Sequence, residues 1–267
     1  MGDVKIRLSR PGDEAGIIRV WSAVFGDDEE YIRGFLDRLY APGRAAVAEE
    51  GGSIVSMALF PRIGELVSPC GTGESCSYIY AVATLPDYRG RGYAAAVSRL
   101  ASFKAREEGQ VVICPAEAGL FGYYEKVCGF ETCFYTDEKE YPRPAKTGEA
   151  AEKIGKAEYF ALREKHLCGI THIRYSDMAA EYREKLCKDG GFFKTGGGIF
   201  AAEMYGETAL IKEALGHVPP ETIAGTLTAG RYVVRTPGKG RPFAMFLPEQ
   251  GGGKVPGRTG WFGFAFD

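Results

Sequence analysis

The sequence lacks a long hydrophobic run and an excess of charge of either sign. No apolar stretch approaches the ~20 residues that a helix needs to cross a bilayer. Lysine and arginine number 33 against 35 aspartates and glutamates, so the formal net charge is −2. Because a weakly acidic chain is not attracted to anionic lipid or to nucleic acid, we expect neither as a partner. The N-terminal segment MGDVKIRLSR also has no apolar core of a secretory signal, which predicts a cytoplasmic protein.

Metal-binding and nucleophilic motifs are scarce as well. The seven cysteines form no C-x-x-C pair, and their odd number without an export signal favours reduced thiols. The three histidines all lie in the second half of the chain and are not clustered with cysteines at zinc-site spacing. We therefore expect no metal centre, and nothing local marks a nucleophilic triad.

Hydrophobic periodicity predicts a mixed α/β fold for about the first 140 residues. Alternation in VKIRLSR predicts a strand, and two amphipathic helices, a hairpin and the apolar central strand SCSYIYAVATL follow. A helix ending near Gly109, the strand VVICPA, a helix in AGLFGYYEKV and the strand GFETCFYTD complete the first half. The predicted order is βααβββαβαβ, which is typical of a layered α/β domain.

The composition changes after this domain. The polar segment YPRPAKTGEAAEKIGK contains two prolines and predicts a linker. Beyond it we predict two helices, a hairpin around Gly206, a short helix after a proline pair, and strands in RYVVRT, PFAMFLP and WFGFAFD. The predicted organisation is a domain at 1–143, a linker at 144–156 and a smaller α+β domain at 157–267.

The stretch TLPDYRGRGYAAAV, residues 84–97, contains the clearest chemical signal. A buried strand enters it, two glycines alternate with two arginines, and a helix leaves it. Glycine permits positive φ, and the first turn of a helix presents free N–H groups at the positive end of its dipole. Such a turn binds pyrophosphate, and arginine side chains add charge. It fits neither the Walker A nor the dinucleotide-binding pattern, and a plain connecting turn remains the alternative.

Two motifs resemble those of the GNAT N-acetyltransferase superfamily. Arg89-x-x-Gly92-x-Ala94 matches the Q/R-x-x-G-x-G/A signature of its acetyl-CoA loop. The segment LFGYYEKVCGFE is similar to a later motif in which a helix with Tyr-x-Lys leads to Gly-Phe and a strand. The resemblance covers about residues 4–140 and implies a GNAT fold with a central, mostly antiparallel, splayed sheet. It also implies acetyl-CoA as co-substrate and no metal. The second half resembles a reduced second unit of this kind that lacks the loop.

The resemblance implies a set of cofactor-binding residues. The backbone of Val82, Ala83 and Thr84 would pair with acetyl-CoA, and an N–H near Val82 would polarise the thioester carbonyl. The residues that would wrap the pyrophosphate are Gly90, Arg91, Gly92, Tyr93, Ala94 and Ala95, with Arg89 adding charge at its mouth.

A tyrosine hydroxyl would protonate the departing CoA thiolate in such an enzyme. Counting from the start of LFGYYEKVCGFE assigns this role to Tyr124. The superfamily usually has one residue between the lysine and Gly-Phe, whereas this sequence has two. Counting backwards from Gly-Phe would favour Glu125, so the register is open and Tyr123 is a further candidate. Both tyrosines could instead be core aromatics beneath the helix.

Two carboxylates are candidates for the base that accepts the proton of the attacking amine. Glu117 follows VVICPA, near the place where the strands would splay, although a charge favoured by a helix N-terminus is the simpler explanation. The second candidate is the chain-terminal carboxylate of Asp267, because the larger enhanced-intracellular-survival branch uses a chain-terminal carboxylate. That branch is longer and has a different last domain.

The predicted function is acetyl-CoA-dependent N-acetylation of a primary amine, on a small molecule or a peptide, by direct transfer in a ternary complex. The alternative is a binding module that holds CoA or acyl-CoA as a sensor and transfers nothing. The second half would complete the acceptor pocket. Neither the acceptor nor the oligomeric state follows from the sequence.

Overall fold

The computed structural model describes residues 4–187, 189–249 and 260–266. Helices and strands alternate along this part of the chain, which confirms the predicted mixed α/β class. The strands are β1 (Val4–Leu8), β2 (Ala45–Glu50), β3 (Ser53–Leu59), β4 (Arg62–Val67), β5 (Gly73–Thr84), β6 (Gln110–Ile113), β7 (Glu131–Pro142), β8 (Glu152–Ile154), β9 (His172–Tyr175), β10 (Gly191–Lys194), β11 (Gly197–Tyr205), β12 (Thr208–His217), β13 (Arg231–Pro237) and β14 (Arg241–Phe246). The helices are α1 (Glu14–Phe25), α2 (Glu29–Leu39), α3 (Tyr93–Arg106), α4 (Ala118–Cys128), α5 (Lys156–His166), α6 (Asp177–Leu186) and α7 (Pro220–Thr226). Across the described ranges, no helix has both the length and the apolar character needed to cross a membrane.

The chain forms two compact units. The first contains residues 4–66, 74–132 and 244–249, and the second contains 67–73, 133–187, 189–243 and 260–266. The N-terminal part of the first unit ends at residue 132, whereas the sequence-based boundary is at 143, because β7 belongs to the second unit from Cys133 onwards. The segment 144–156, predicted as a linker, includes the short strand β8.

The sheet of the first unit follows the order β1-β2-β3-β5-β6. The first three neighbouring pairs are antiparallel, whereas β5 and β6 run parallel. β4 also pairs with β5, and the end of β14 pairs antiparallel with β6. The predicted mostly antiparallel sheet is thus confirmed, with β4 as one strand more than the sequence indicated.

Small side chains bring α3 close to this sheet. Its buried face presents Val97, Ala101 and Ala105 to a core that includes Ala46 and Ala48 of β2. Alanines on both surfaces leave little between the two backbones, and larger side chains from the neighbouring strands fill the remaining core. The packing fixes the N-terminus of α3 relative to the end of β5, which is where the glycine loop lies.

Gly109 gives a test of this packing. Its φ is +147°, and a Cβ there would lie 2.3 Å from the carbonyl oxygen of Ser75 in β5. Because a backbone oxygen in a paired strand cannot move cheaply, we expect Gly109→Ala to reduce the free energy of unfolding by about 1–3 kcal/mol. Urea unfolding would show a lower midpoint with an unchanged slope.

The matched control is Gly122→Ala inside α4. A Cβ at Gly122 would meet no atom within 4 Å, and alanine is the better helix former by about 1 kcal/mol. This variant should unfold at the same or a higher urea concentration. Equal losses in both variants would contradict the role given to Gly109.

The sheet of the second unit follows the order β7-β13-β12-β11-β10-β8. Only β12 and β13 are parallel among these neighbours. The predicted hairpin around Gly206 is confirmed by β11 and β12.

The predicted strand in WFGFAFD is wrong for the residues that the structure describes. Gly260 and Trp261 make isolated bridges, and residues 262–266 are buried without strand pairing. In this segment, hydrogen bonds from side chains take the place of those that a neighbouring strand would supply. The Tyr175 hydroxyl donates to the carbonyl oxygens of Phe262 and Phe264 at 2.8 and 3.0 Å, and Arg183 Nη1 donates to that of Ala265 at 2.9 Å.

Candidate functional site

β5 is interrupted on both sides near its end. On the β3 side the register shifts between Met57 and Leu59, which leaves an extra residue in β5. Ala81 lies in this bulge. Its φ is +50°, and no other non-glycine residue in the described part of the chain has a positive φ. On the β6 side the parallel pairing ends at Ile79. From there to Thr84, β5 pairs with no described strand on that side, so the two strands diverge and leave a backbone edge open.

A glycine loop joins β5 to α3. Gly90 and Gly92 have φ values of +76° and +82°, and a Cβ on either would meet no atom within 4 Å. Gly92 is the N-cap of α3, and its carbonyl oxygen accepts from the Ala96 N–H at 3.1 Å. No side chain caps this helix, so the N–H groups of its first turn remain available to an anion.

The two arginines of the loop are held by backbone carbonyl groups. Arg89 Nε donates to the Thr84 oxygen at 3.2 Å, and Arg91 Nη2 donates to the Asp87 oxygen at 2.9 Å. The Arg91 guanidinium also lies over the Tyr88 ring, 5.0 Å from its centroid. Both side chains remain largely exposed, so the loop presents positive charge to solvent.

Glu50, at the end of β2, lies beside the same loop. Its carboxylate accepts from the Tyr93 hydroxyl at 2.8 Å and pairs with Arg91 Nη1 at 3.5 Å. The hydrogen bond to this carboxylate raises the pKa of Tyr93. Glu50 could not be found from the sequence, because it lies 41 residues from Arg91 and belongs to no local motif.

A pocket of about 480 Å³ opens between the glycine loop and α4. The sequence-predicted cofactor residues that line it are Val82, Ala83, Thr84, Arg89, Gly90, Gly92, Tyr93, Ala94 and Ala95. Arg91 alone of that predicted set is not a lining residue. Val24 of α1, Tyr88, and Leu120, Tyr123 and Tyr124 of α4 complete the wall. The bulged strand, the loop and the two tyrosines thus surround one cavity.

The two tyrosines of α4 differ in burial. Tyr124 is 6% exposed, with its ring edge-on to Tyr123 at 5.1 Å and to Phe130 at 6.4 Å. Burial raises the pKa of Tyr124 well above its ordinary value, and burial also raises that of Tyr123. Within the described ranges neither hydroxyl has a protein hydrogen-bond partner, so both remain available to a ligand. Glu125 is exposed and does not line the pocket.

Glu117, one of the two predicted bases, does not line this pocket. Glu117 is the exposed N-cap residue of α4, and its side chain caps no N–H group. Asp267 lies outside the described residues. Among the described residues that line the pocket there is no aspartate, glutamate or histidine. The carboxylate of Glu50 reaches the rim only through Tyr93.

Comparisons with known proteins identify a family for the first half of the sequence and a shared fold for most of the chain. A family model described as an acetyltransferase (GNAT) domain matches residues 5–132. No curated protein matches the chain. Solved structures share the fold over most of its length.

A probable N-acyltransferase from Enterococcus faecalis has 13% identity and a TM-score of 0.67, covering 91% of this chain and 72% of its own. A GCN5-related N-acetyltransferase from Kribbella flavida has 14% identity and a TM-score of 0.68, covering 91% and 71%. A putative acetyltransferase from Pyrococcus horikoshii has 14% identity and a TM-score of 0.59, covering 98% and 95%. At such identities the likeness concerns the fold, whereas the family model matches the sequence of the first half. Residues 5–132 therefore belong to the acetyltransferase (GNAT) family, as their two motifs indicated.

Proposed function

We propose that the protein is an N-acetyltransferase that takes acetyl-CoA as co-substrate and acetylates a primary amine of a small molecule or peptide. One observation supports this most: an open strand edge, a helix N-terminus without a side-chain cap and two tyrosine hydroxyls all border the same pocket. Gly90 and Gly92 leave open the space that side chains would otherwise fill. A diphosphate fits such a surface, because several N–H groups converge there beside the positive end of the helix dipole.

Different residues of the pocket would serve different steps of the transfer. The N–H groups from Gly90 to Ala95 would hold the diphosphate, and the free edge of Val82–Thr84 would align the extended arm of the donor. Bound acetyl-CoA supplies a thioester carbonyl that an amine can attack. An N–H near Val82 would stabilise the negative charge that develops on the carbonyl oxygen. As the C–S bond breaks, the Tyr124 hydroxyl would donate its proton to sulfur, and the surplus proton of the amine would leave to water or a base.

A sensor that binds CoA or acyl-CoA without transfer is the second candidate. The observation that favours it is the absence of aspartate, glutamate and histidine from the described residues lining the pocket. An amine that is mostly protonated at neutral pH attacks slowly unless a base removes its proton. The cytoplasmic location predicted from the sequence suits either candidate, because both need a supply of CoA.

Thiol release and calorimetry together distinguish the two. The purified full chain is mixed with acetyl-CoA and a panel of polyamines, aminoglycosides and peptides with free N-termini, and CoA thiol is followed with a chromogenic disulfide. The transferase predicts acceptor-dependent release together with CoA binding. Binding without release for any amine would support the sensor, and absence of CoA binding would reject both candidates.

Glu50→Gln tests the electrostatics of the loop. Removing a carboxylate beside a diphosphate site lessens repulsion and releases Arg91, so we expect the Kd for CoA to fall about threefold. A threefold change in Kd corresponds to ~0.7 kcal/mol, which is the Coulomb energy between two unit charges about 6 Å apart in near-aqueous surroundings. The gain should shrink in 1 M salt, where the Debye length is about 3 Å. Calorimetric titration with CoA at low salt and again in 1 M salt measures this change in Kd.

Glu131→Gln is the matched control, because it removes the same charge from an exposed position at the start of β7. It should leave the Kd for CoA unchanged. Weaker CoA binding in Glu50→Gln would mean instead that the carboxylate is needed to orient Tyr93 and Arg91.

A further inference from the structure

The second unit repeats the strand arrangement that forms the pocket of the first. Thr208–Ile211 of β12 run parallel to Arg231–Val234 of β13 over four residue pairs. Cys76–Ile79 of β5 and the four residues of β6 pair in the same way. In both units the long strand continues beyond its parallel pairing, pairs antiparallel on its other side with an earlier strand, β3 in the first unit and β11 in the second, and leads into a helix.

The bulge recurs at the equivalent position. The register of β11 and β12 shifts between Ala201 and Ala202, which makes Lys212 the extra residue. Lys212 directly follows Ile211, the last residue paired with β13. The strands β12 and β13 therefore separate after the bulge, as β5 and β6 do.

A second pocket, of about 160 Å³, lies where these strands separate. Its floor is apolar and consists of Ala214 of β12, Val218, Ile223 of α7 and Val234 of β13. These four side chains belong to the same hydrophobic cluster or pack against it. The volume equals that of about five water molecules at ~30 Å³ each, so an occupant must be small.

This second pocket cannot hold a diphosphate in the way proposed for the first. α7 has only seven residues and begins at Pro220, directly after Pro219. Proline has no N–H group to donate, so the start of this helix lacks the convergent donors that the glycine loop and α3 provide. The pocket is also about one third the volume of the first. Its ligand must belong to a different chemical class.

Two hydrogen-bond donors at the rim indicate that class. Lys139 and Tyr141 of β7 line the pocket, and within the described chain neither the ammonium group nor the hydroxyl has a protein partner. The carboxylate of Asp137, also at the rim, already accepts from the N–H groups of Lys239 and Gly240 at 3.2 and 2.8 Å. A cation and a hydroxyl above an apolar floor complement one negative group joined to a short hydrocarbon chain.

We propose that this pocket binds a short aliphatic carboxylate of a few carbon atoms. Its two oxygens accept from Lys139 Nζ and the Tyr141 hydroxyl, and its alkyl chain lies on Ala214, Ile223 and Val234. The site belongs wholly to the second unit. It is independent of the donor pocket proposed above, and its occupancy requires neither acetyl-CoA nor transfer.

Butanoate is the probe for this site, titrated into the full chain with calorimetry or amide NMR detection. Butanamide, which has the same shape without the charge, is the matched ligand. We expect saturable binding of butanoate and at least about tenfold weaker binding of butanamide. Prior saturation with CoA should leave the butanoate isotherm unchanged. Equal affinity for both ligands, or no saturable butanoate binding up to about 10 mM, would overturn the proposal.

Two variants locate the binding. Lys139→Gln should weaken butanoate binding about tenfold, and Tyr141→Phe should weaken it less, because the hydroxyl supplies one uncharged donor. Lys146→Gln, at an exposed position outside the pocket lining, is the matched control and should bind butanoate like the unaltered protein. Unaltered butanoate affinity in Lys139→Gln, measured on folded protein, would refute the assignment of this pocket.

Discussion

Replacing Tyr124 by phenylalanine is expected to lower kcat for amine acetylation by about 100-fold, the lower end of what a positioned general acid contributes. The substitution removes one hydroxyl and keeps the buried ring, which packs edge-on against Tyr123 and Phe130. The affinity for CoA should hardly change, because that hydroxyl would act only as the C–S bond breaks. Steady-state kinetics with a CoA titration on the same preparation measure both quantities.

Tyr123→Phe is the matched control, since Tyr123 lines the same pocket one residue away on α4. It should retain most of its kcat. A large loss in Tyr123→Phe with activity retained in Tyr124→Phe would reverse the two roles. Full activity in both variants would leave the thiolate to be protonated by water and would contradict any tyrosine acid.

The pH dependence tests whether the Tyr124 hydroxyl stays protonated in the pH range where it would act as an acid. Burial keeps the pKa of Tyr124 well above its ordinary value, so the phenol remains protonated through neutral and mildly alkaline pH. The ratio of kcat between the unaltered protein and Tyr124→Phe should therefore stay constant from neutral to mildly alkaline pH. A ratio that falls steadily as pH rises across that range would mean that the group titrates there, contrary to its burial.

The donor side of the site could be predicted because its chemistry is local. Gly90 and Gly92 are adjacent in sequence to the helix that they precede, and both have the positive φ that glycine permits at low cost. The buried strand before them and the alanine-rich helix after them are each typical of their structure. Nine of the ten predicted cofactor residues consequently line one pocket, although their roles stay predictions.

What could not be predicted depends on distant parts of the chain. Glu50 reaches the loop from another strand, and no pattern around either segment indicates the pairing. The sequence did not predict β4, because this strand is short, lies between two prolines and contains Gly64. The alternating segment WFGFAFD has the period of a strand, yet Gly263 has a φ of +82° and breaks it. Buried side chains of the second unit, rather than a neighbouring strand, then satisfy the carbonyl groups of this segment.

The strongest effect on stability is expected from Glu213→Ala in the second unit. The Glu213 carboxylate is fully buried and accepts from the Tyr159 hydroxyl at 2.8 Å, from Arg163 Nε at 2.9 Å and from Trp261 Nε1. Removing it leaves the guanidinium of Arg163, also fully buried, with only the longer ion pair from its Nη1 to the half-buried Glu164 carboxylate, at 3.8 Å. We expect a loss of about 3–5 kcal/mol, because this longer ion pair does not offset the desolvation cost of the buried charge.

Thermal unfolding should show the loss as a fall in Tm of about 10 °C. Hydrogen exchange should locate it in α5 and in residues 260–266, which the carboxylate joins through Arg163 and Trp261. Glu213→Gln keeps an acceptor oxygen but loses the charge, so its Tm should lie between those of Glu213→Ala and the unaltered protein. A Tm for Glu213→Ala within 2 °C of the unaltered protein would mean that water reaches Arg163 and solvates it.

The double variant Arg163→Met with Glu213→Leu separates the cost of an unpaired charge from the value of the pair itself. A buried ion pair can often be replaced by apolar side chains of similar volume without loss. The double variant should therefore be more stable than Glu213→Ala, although it leaves Tyr159 and Trp261 without their acceptor. Its remaining deficit measures those two hydrogen bonds together with the one that Arg163 Nη1 donates to the Ile173 carbonyl oxygen, at about 1 kcal/mol or somewhat more each. If it were as unstable as Glu213→Ala, the carboxylate would stabilise the second unit through Tyr159 and Trp261 rather than through Arg163.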